Sequence, residues 1–398
     1  MMGSLWFTEG LGIFLFFVFV ELVVERLWPQ ITYSYQNELI RKGRYNLFAP
    51  DEVVGYRLKP SLKNHSVYAF DHWMKPVPFL VSTDEDGYRI SRLDGREEPV
   101  YALVIGDSKV FGFGVDNDRT IPSVLSALLD KKVKNCGLPG AGLGEHYFTL
   151  KRALERYPEA RYVVLYVNLS TDTSEMEEVA WDVEREEFPA RIEREHFVTE
   201  EGFLKQKNPP FVYRIPVIRN FHSAILLFTF FLTIKSLVIS GGDRLFRKGP
   251  TRILDEKRTK IQRCVAKYAE VLREWRGKAI FVWGMALPYY DGRKWYDRFD
   301  GWRKEMEEMI RGEEIDAAFV NLLPLIREKS ARRSLYVEAS HYSSRGCEFV
   351  AKRIFEVMRR NAGENLRQGS GVEEGEERSG TAGTSKEVRR SLVELLQA

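Results

Sequence analysis

Residues 98–115, "EPVYALVIGDSKVFGFGV", run from a solid apolar block into a cluster of glycines with one serine between them. An uninterrupted apolar run that ends at a glycine suits a strand covered on both faces, as in a parallel sheet. Gly, Asp and Ser are all turn formers. Ser108 therefore reads either as a polar residue in a tight turn or as a nucleophile displayed at a strand end, and the flanking sequence has to decide.

Downstream the same alternation repeats. "TIPSVLSALLDKK" (120–132) has helical spacing, with Ile121, Val124, Leu125, Leu128 and Leu129 on one face. "KVKNCGLPG" (132–140) reads as a second strand and turn, "EHYFTLKRALERY" (145–157) as a helix and "ARYVVLYVNL" (160–169) as a third strand. After a long insertion at about 173–260, "YAEVLREWRG" (268–277) is a helix and "KAIFVWGMALP" (278–288) a fourth strand. "GWRKEMEEMIRGE" (301–313), "DAAFVNLLP" (316–324) and "SRGCEFVAKRIFEVMRR" (344–360) add a helix, a fifth strand and a closing helix. Strand and helix alternate five times, which predicts a five-stranded parallel sheet with helices on both faces over residues 100–362.

The N-terminal stretch "LWFTEGLGIFLFFVFVELVVERLWPQ" (5–30) holds an unbroken apolar run of about eleven residues, Gly10 to Val20, against the ~20 that span a bilayer. Extending it from Leu5 to Val24 reaches about twenty residues and takes in Glu9 and Glu21. Carboxylates near the ends of such a segment reach the interface, and Trp6 and Trp28 stand where interfacial aromatics would. Residues 1–28 are therefore read as a membrane anchor; no small-residue cleavage site follows them. Arg26, Arg41, Lys42 and Arg44 follow the anchor and no Lys or Arg precedes it, a bias that would hold the main domain in the cytoplasm. Residues 29–99 read as an accessory segment of short strands and turns, including "GYRLKPSLKN" (55–64) and "VSTDEDGYRI" (81–90). Within the insertion, "AILLFTFFLTIKSLVI" (224–239) is broken by Lys235 and reads as an interfacial or buried helix rather than a span. From Gly363 the chain turns to Gly, Ser, Glu and Thr, predicting an unfolded tail over 363–398.

At 398 residues, 44% hydrophobic and 29% charged, the chain can bury a substantial core. A net charge of +3 gives no electrostatic case for nucleic-acid binding. Cys136, Cys264 and Cys347 stand too far apart for a zinc spacing, no cofactor motif appears, and the odd count gives no disulfide framework. The acidic run "EMEEVAWDVEREE" (175–187) reads as a solvated helix face rather than a metal site.

Ligands collect at the carboxyl ends of parallel strands. Ser108 lies past strand one, Gly140 past strand two, Asn168 and Thr171 past strand three in "VNLSTD", and His341 past strand five in "YVEASHYSSRG". A nucleophilic serine needs a base within hydrogen-bond reach and a carboxylate to orient that base; Glu338 and His341 supply both from one loop. Backbone N–H groups of Ser108 and Gly140 suit an oxyanion hole, since glycine lets the backbone approach closely. His65, His72, His146, His196 and His222 have no partnered motif and read as surface or core residues.

Gly-Asp-Ser with "GFGV" after it, then "NCGLPG", a polar third loop, Glu-x-x-His and "SRG" before the last helix together resemble the SGNH (GDSL-type) hydrolase superfamily. "DEVVGYRLKP" and "STDEDGYR" resemble the segment that precedes this domain in membrane-anchored members, so the likeness runs from about residue 50 to 360. The resemblance implies a flavodoxin-like three-layer α/β/α sandwich, with Ser108 as nucleophile, His341 as base and Gly140 as oxyanion donor. Two positions depart from the pattern. Glu338 stands where the family has Asp, and Thr171-Asp172 where it has Asn-Asp, so Thr171 or Asn168 would have to serve as the third oxyanion donor. The function implied is a membrane-anchored serine esterase acting on acyl esters of lipids or cell-envelope glycans. The same serine would serve a glycan O-acyltransferase, and the altered third loop would suit a catalytically weak binding relative. The resemblance also favours an exported domain over the cytoplasmic one that the Lys/Arg bias indicates, and export is the expectation carried forward.

Overall fold

The chain opens with helix α1 (Met2–Leu27), then two antiparallel hairpins, β1 (Phe48–Asp51) with β2 (Gly55–Leu58) and β3 (His65–Phe70) with β4 (Pro76–Val81). There follow β5 (Ala102–Gly106), α2 (Ser108–Phe111), α3 (Ile121–Leu129), β6 (Val133–Gly137), α4 (Leu143–Arg156) and β7 (Tyr162–Asn168). After a small hairpin, β8 (His196–Val198) with β9 (Leu204–Gln206), come α5 (Phe211–Arg214), α6 (Asp255–Trp275), β10 (Lys278–Gly284), α7 (Arg293–Arg311), β11 (Ala317–Asn321), α8 (Leu323–Arg327) and α9 (Ser344–Gly369). The computed structural model describes residues 2–27, 41, 45–70, 76–172, 196–206, 211–216, 218–228, 230–231, 255–285, 293–327, 334–337 and 340–369.

Five strands form one sheet in the order β6-β5-β7-β10-β11, and every neighbouring pair is parallel. Numbered along the chain, that order is 2-1-3-4-5, the doubly wound arrangement whose connections diverge between its first and third strands. All residues of β5, β6 and β7 are buried, so both faces of the sheet are covered there, as the apolar runs of β5 and β7 require. Helix α3 packs on α9, while α4 packs on α6 and α6 on α7. The start of α3 is written locally: Thr120 Oγ1 accepts from Ser123 N at 3.3 Å, Pro122 sits in the first turn, and Asp130 closes the helix in the left-handed region at φ 51°.

The two N-terminal hairpins share a second apolar cluster with the loops that follow β5 and β6. Leu47, Tyr56, Val67 and Phe79 pack there with Phe111, Leu138 and Ala141. Tyr56 Oη donates to Pro139 O at 2.7 Å, and the buried Lys134 ammonium on β6 lies 2.6 Å from Asp84 and 3.4 Å from Asp94. Burial works against the Lys134 charge, but Asp94 and Asp84 outweigh it and hold its pKa above the usual lysine range. The accessory segment is thus joined to the sheet edge beside Ser108.

Residues Met2–Leu27 form a helix as expected; among the described residues no helix is long and apolar enough to cross a membrane. Helix α9 continues to Gly369, into the stretch read from composition as an unfolded tail; Glu364, Asn365 and Leu366 have ordinary helix propensity. Residues 370–398, the acidic run at 175–187 and residues 232–254 lie outside the described residues.

Gly137, the last residue of β6, faces α2 so closely that a Cβ there would lie 2.1 Å from Phe111 N and 2.7 Å from Phe111 Cα. Those are backbone atoms and cannot rotate away. Gly137→Ala is expected to destabilise the chain by about 1–3 kcal/mol or more, read as a lower urea midpoint at unchanged slope; an unaltered midpoint would mean that α2 is free to shift.

Candidate active site

Ser108 is the first residue of α2, two residues past the end of β5. Asp107 caps this short helix, with Oδ1 accepting from Lys109 N at 2.8 Å, and Gly112 ends it at φ 84°, a left-handed position that favours glycine. Ser108 is half-buried, and its side chain faces the loop between α8 and α9.

There His341 Nε2 lies 2.9 Å from Ser108 Oγ, a contact between residues 233 positions apart. The loop bearing His341 is closed by Val337 N donating to His341 O at 2.9 Å and by a bridge between Tyr336 and Tyr342. Tyr342 Oη is 2.8 Å from Tyr166 Oη on β7, so the loop is tied to the sheet at its base. The Phe113 ring lies 4.7 Å from the His341 ring, centroid to centroid. Glu338, the expected orienting carboxylate, lies outside the described residues.

The turn after β6 carries Gly140 in the left-handed region at φ 74°, exposed, beside Ala141, whose N–H donates to Leu138 O. β5 and β6 pair through Gly106 and Gly137, which puts the Ser108 and Gly140 loops on the same sheet edge. Neither the Ser108 nor the Gly140 N–H has a hydrogen-bond partner among the described residues. Unengaged backbone donors at this edge are what an oxyanion requires.

The third loop places Asn168, one of the two expected third donors, against Asp107. Its side chain is buried, with Nδ2 donating to Asp107 Oδ2 at 2.9 Å and Oδ1 accepting from Ser170 Oγ at 2.7 Å. Its backbone N–H donates to Asp172 Oδ2 at 2.8 Å. The Asn168 side chain therefore commits one of its two N–H groups to Asp107 and its oxygen to its own loop. The Thr171 hydroxyl donates to Asp172 Oδ1 at 3.2 Å. His146, read from the sequence as surface or core, is buried with Nδ1 3.9 Å from Asp172.

One role was not drawn from the sequence. Asp107 accepts from the Lys109 and Asn168 groups and lies 3.4 Å from the buried Lys109 ammonium, directly beneath Ser108. Burial opposes its ionisation, but the Lys109 charge, the Asn168 amide and the Lys109 N–H outweigh burial and keep the carboxyl below its ordinary pKa. The Gly-Asp-Ser motif contains Asp107, but only the fold brings Asn168 onto it.

No family model matches the chain, and no curated protein does. Among solved structures, a lipolytic protein assigned to the G-D-S-L family from Desulfitobacterium hafniense is 13% identical over 65% of this chain and 99% of its own, at TM-score 0.35. A family 3 carbohydrate esterase from Clostridium thermocellum is 10% identical over 65% of this chain and 94% of its own, at TM-score 0.34. A catalytic mutant of an acetylxylan esterase from Geobacillus stearothermophilus is 12% identical over 66% of this chain and 95% of its own, at TM-score 0.34.

A carboxyl whose pKa is lowered by folding stabilises the fold fully above about pH 4, and that contribution is lost as pH falls through the folded value. Asp107→Asn is expected to cost about 3–5 kcal/mol near pH 7, because it leaves the Lys109 ammonium buried without its partner. Urea unfolding from about pH 3 to pH 6 should also show a flatter acid limb in this variant than in the wild type. Parallel pH curves for the two proteins would deny Asp107 this role.

Proposed function

We propose that the protein is a serine esterase that cleaves acyl esters through an acyl-serine intermediate. The observation that carries this reading is the 2.9 Å contact between His341 Nε2 and Ser108 Oγ at the switch point of the sheet. In the forward step His341 takes the hydroxyl proton as Ser108 Oγ attacks the ester carbonyl carbon. The carbonyl electron pair moves onto oxygen, which the N–H groups of Ser108 and Gly140 meet; the Thr171 hydroxyl, whose one proton goes to Asp172 Oδ1, could join them only by turning away from that carboxylate. Collapse expels the alkoxide, which takes the proton from His341, and the acyl group stays on Ser108. Water, deprotonated by His341, then repeats the sequence and releases the carboxylic acid. Glu338, three residues before His341, would hold the imidazole by its second nitrogen.

Ser108→Ala is expected to lower turnover of p-nitrophenyl acetate by about 10⁴-fold or more and to abolish labelling by a fluorophosphonate. Retained labelling in that variant would remove Ser108 as the nucleophile. Product analysis with a glycan acceptor present separates hydrolysis from acyl transfer.

The substrate reading, acyl esters of lipids or envelope glycans, is supported by the attachment we assign to α1. Ile13, Phe14, Leu15, Phe16, Phe17 and Phe19 are 55–65% exposed, and at 100° per residue they cover every face of the helix. One protein partner covers one face, whereas lipid covers all of them. Glu21 is engaged by His222 N, Ser223 N and Ser223 Oγ at 2.5–2.9 Å, at the start of the second apolar segment. α1 is assigned as the anchor, with the catalytic edge on the exported side. Deleting residues 1–28 is expected to move the protein from the membrane pellet to the soluble fraction, with esterase activity retained. A truncated protein that still pellets would place the attachment in the 224–239 segment, and protection of the domain from external protease in intact cells would reverse its sidedness.

A further inference from the structure

Arg89 is fully excluded from solvent, and no carboxylate among the described residues touches its guanidinium. All of its hydrogen bonds but one go to main-chain carbonyls. Nη1 donates to Phe111 O at 2.8 Å and Gly112 O at 2.7 Å; Nη2 donates to Val115 O at 2.7 Å and Leu80 O at 2.8 Å; Nε donates to Asn117 Oδ1 at 2.9 Å. A buried cation with no carboxylate in contact is costly, and an apolar side chain would fill the same space at less expense. What a guanidinium adds is a rigid planar fork of donors at fixed directions.

Three of those acceptors belong to residues 111–115, the loop that leaves the nucleophile helix. This loop contains two left-handed glycines, Gly112 at φ 84° and Gly114 at φ 89°, and so has little stiffness of its own. Within it, Gly112 N and Phe113 N both donate to Ser108 O at 3.0 Å. The Phe113 ring lies on the His341 ring and is backed by Phe79 at 5.3 Å and Tyr45 at 5.8 Å. Arg89 itself is anchored by backbone bridges to Thr83 and to Asn135 on β6.

We propose that Arg89 is a positioning residue of the hydrolytic site: its fork sets the 111–115 loop so that Phe113 holds the His341 ring against Ser108. The proposal rests on the reading of Ser108 and His341 as nucleophile and base. It makes the accessory segment, which supplies Arg89, a working part of that site. Arg89 touches no reacting atom; it acts through Phe113.

The test uses the full chain and three variants: Arg89→Lys, which keeps the charge and loses the fork, Phe113→Leu, which keeps apolar bulk and loses the ring, and the double variant. Steady-state turnover of p-nitrophenyl acetate, the rate of fluorophosphonate labelling and thermal unfolding are measured on each. Arg89→Lys is expected to lower kcat about 10- to 100-fold, with a parallel fall in labelling rate, the size of effect that a small misplacement produces. KM should stay within about twofold, since the loss is of alignment rather than of substrate contact. Phe113→Leu should show the same kcat loss, and the double variant no more than the larger single loss, because both act along one path. A folded Arg89→Lys protein with wild-type kcat and labelling overturns the proposal, as does multiplication of the two losses in the double variant. If Arg89→Lys does not fold, Phe113→Leu decides: a 10-fold or larger loss of kcat in the folded variant supports the proposal, and wild-type kcat overturns it. Wild-type protein that takes up no fluorophosphonate would instead defeat the hydrolase reading, and the proposal would fall with it.

Discussion

The Asp107 carboxylate joins the ends of the two central strands where the chain reverses its winding direction. It belongs to the residue after β5, and it is reached by the Asn168 amide at the end of β7. A carboxylate in that position would be expelled or neutralised if it stood alone. It survives because the Lys109 ammonium, the Lys109 N–H and the Asn168 amide satisfy it together. Ser108 sits directly on this cluster, so the strand ends cannot separate without moving the serine.

Around that cluster the protein uses buried charge to set backbone position. Lys134 on β6 binds Asp84 and Asp94 of the accessory segment, and Arg89 binds carbonyls on both sides of the nucleophile loop. Such contacts are poor sources of net stability compared with apolar packing, but their geometry is specific. The apolar cluster of Leu47, Tyr56, Val67, Phe79, Phe111 and Leu138 supplies the burial that offsets them. The accessory hairpins and the sheet are therefore one packed unit at the edge where the site lies.

Much of the fold was legible because periodicity is a local property. Continuous apolar runs such as Ala102–Gly106 and Tyr162–Asn168 require cover on both faces, and only alternating strands and helices provide it for five strands in succession. The serine and histidine loops were also legible, since each follows a predicted strand and each carries its own turn residues. Asn168 was not. Its type allows it to donate to an oxyanion or to a buried carboxylate, and nothing in "VNLSTD" states that Asp107, 61 positions earlier, lies within 2.9 Å.

The same limit applies to Arg89. In the sequence it is one cation in "STDEDGYR", a stretch whose charges suggest a solvated turn. Its burial and its carbonyl partners exist only because the hairpins close over the loop after Ser108. By itself the sequence determined the order of strands and helices, the candidate nucleophile and base, and the apolar character of the N-terminal helix, because these depend on residue type and short-range spacing. Tertiary structure alone decided the strand order in the sheet, the 2.9 Å approach of His341 to Ser108 and the choice of partners for Asn168 and Arg89. Those outcomes are set by which groups are excluded from water together, and exclusion from water is a property of the packed chain rather than of any segment of it.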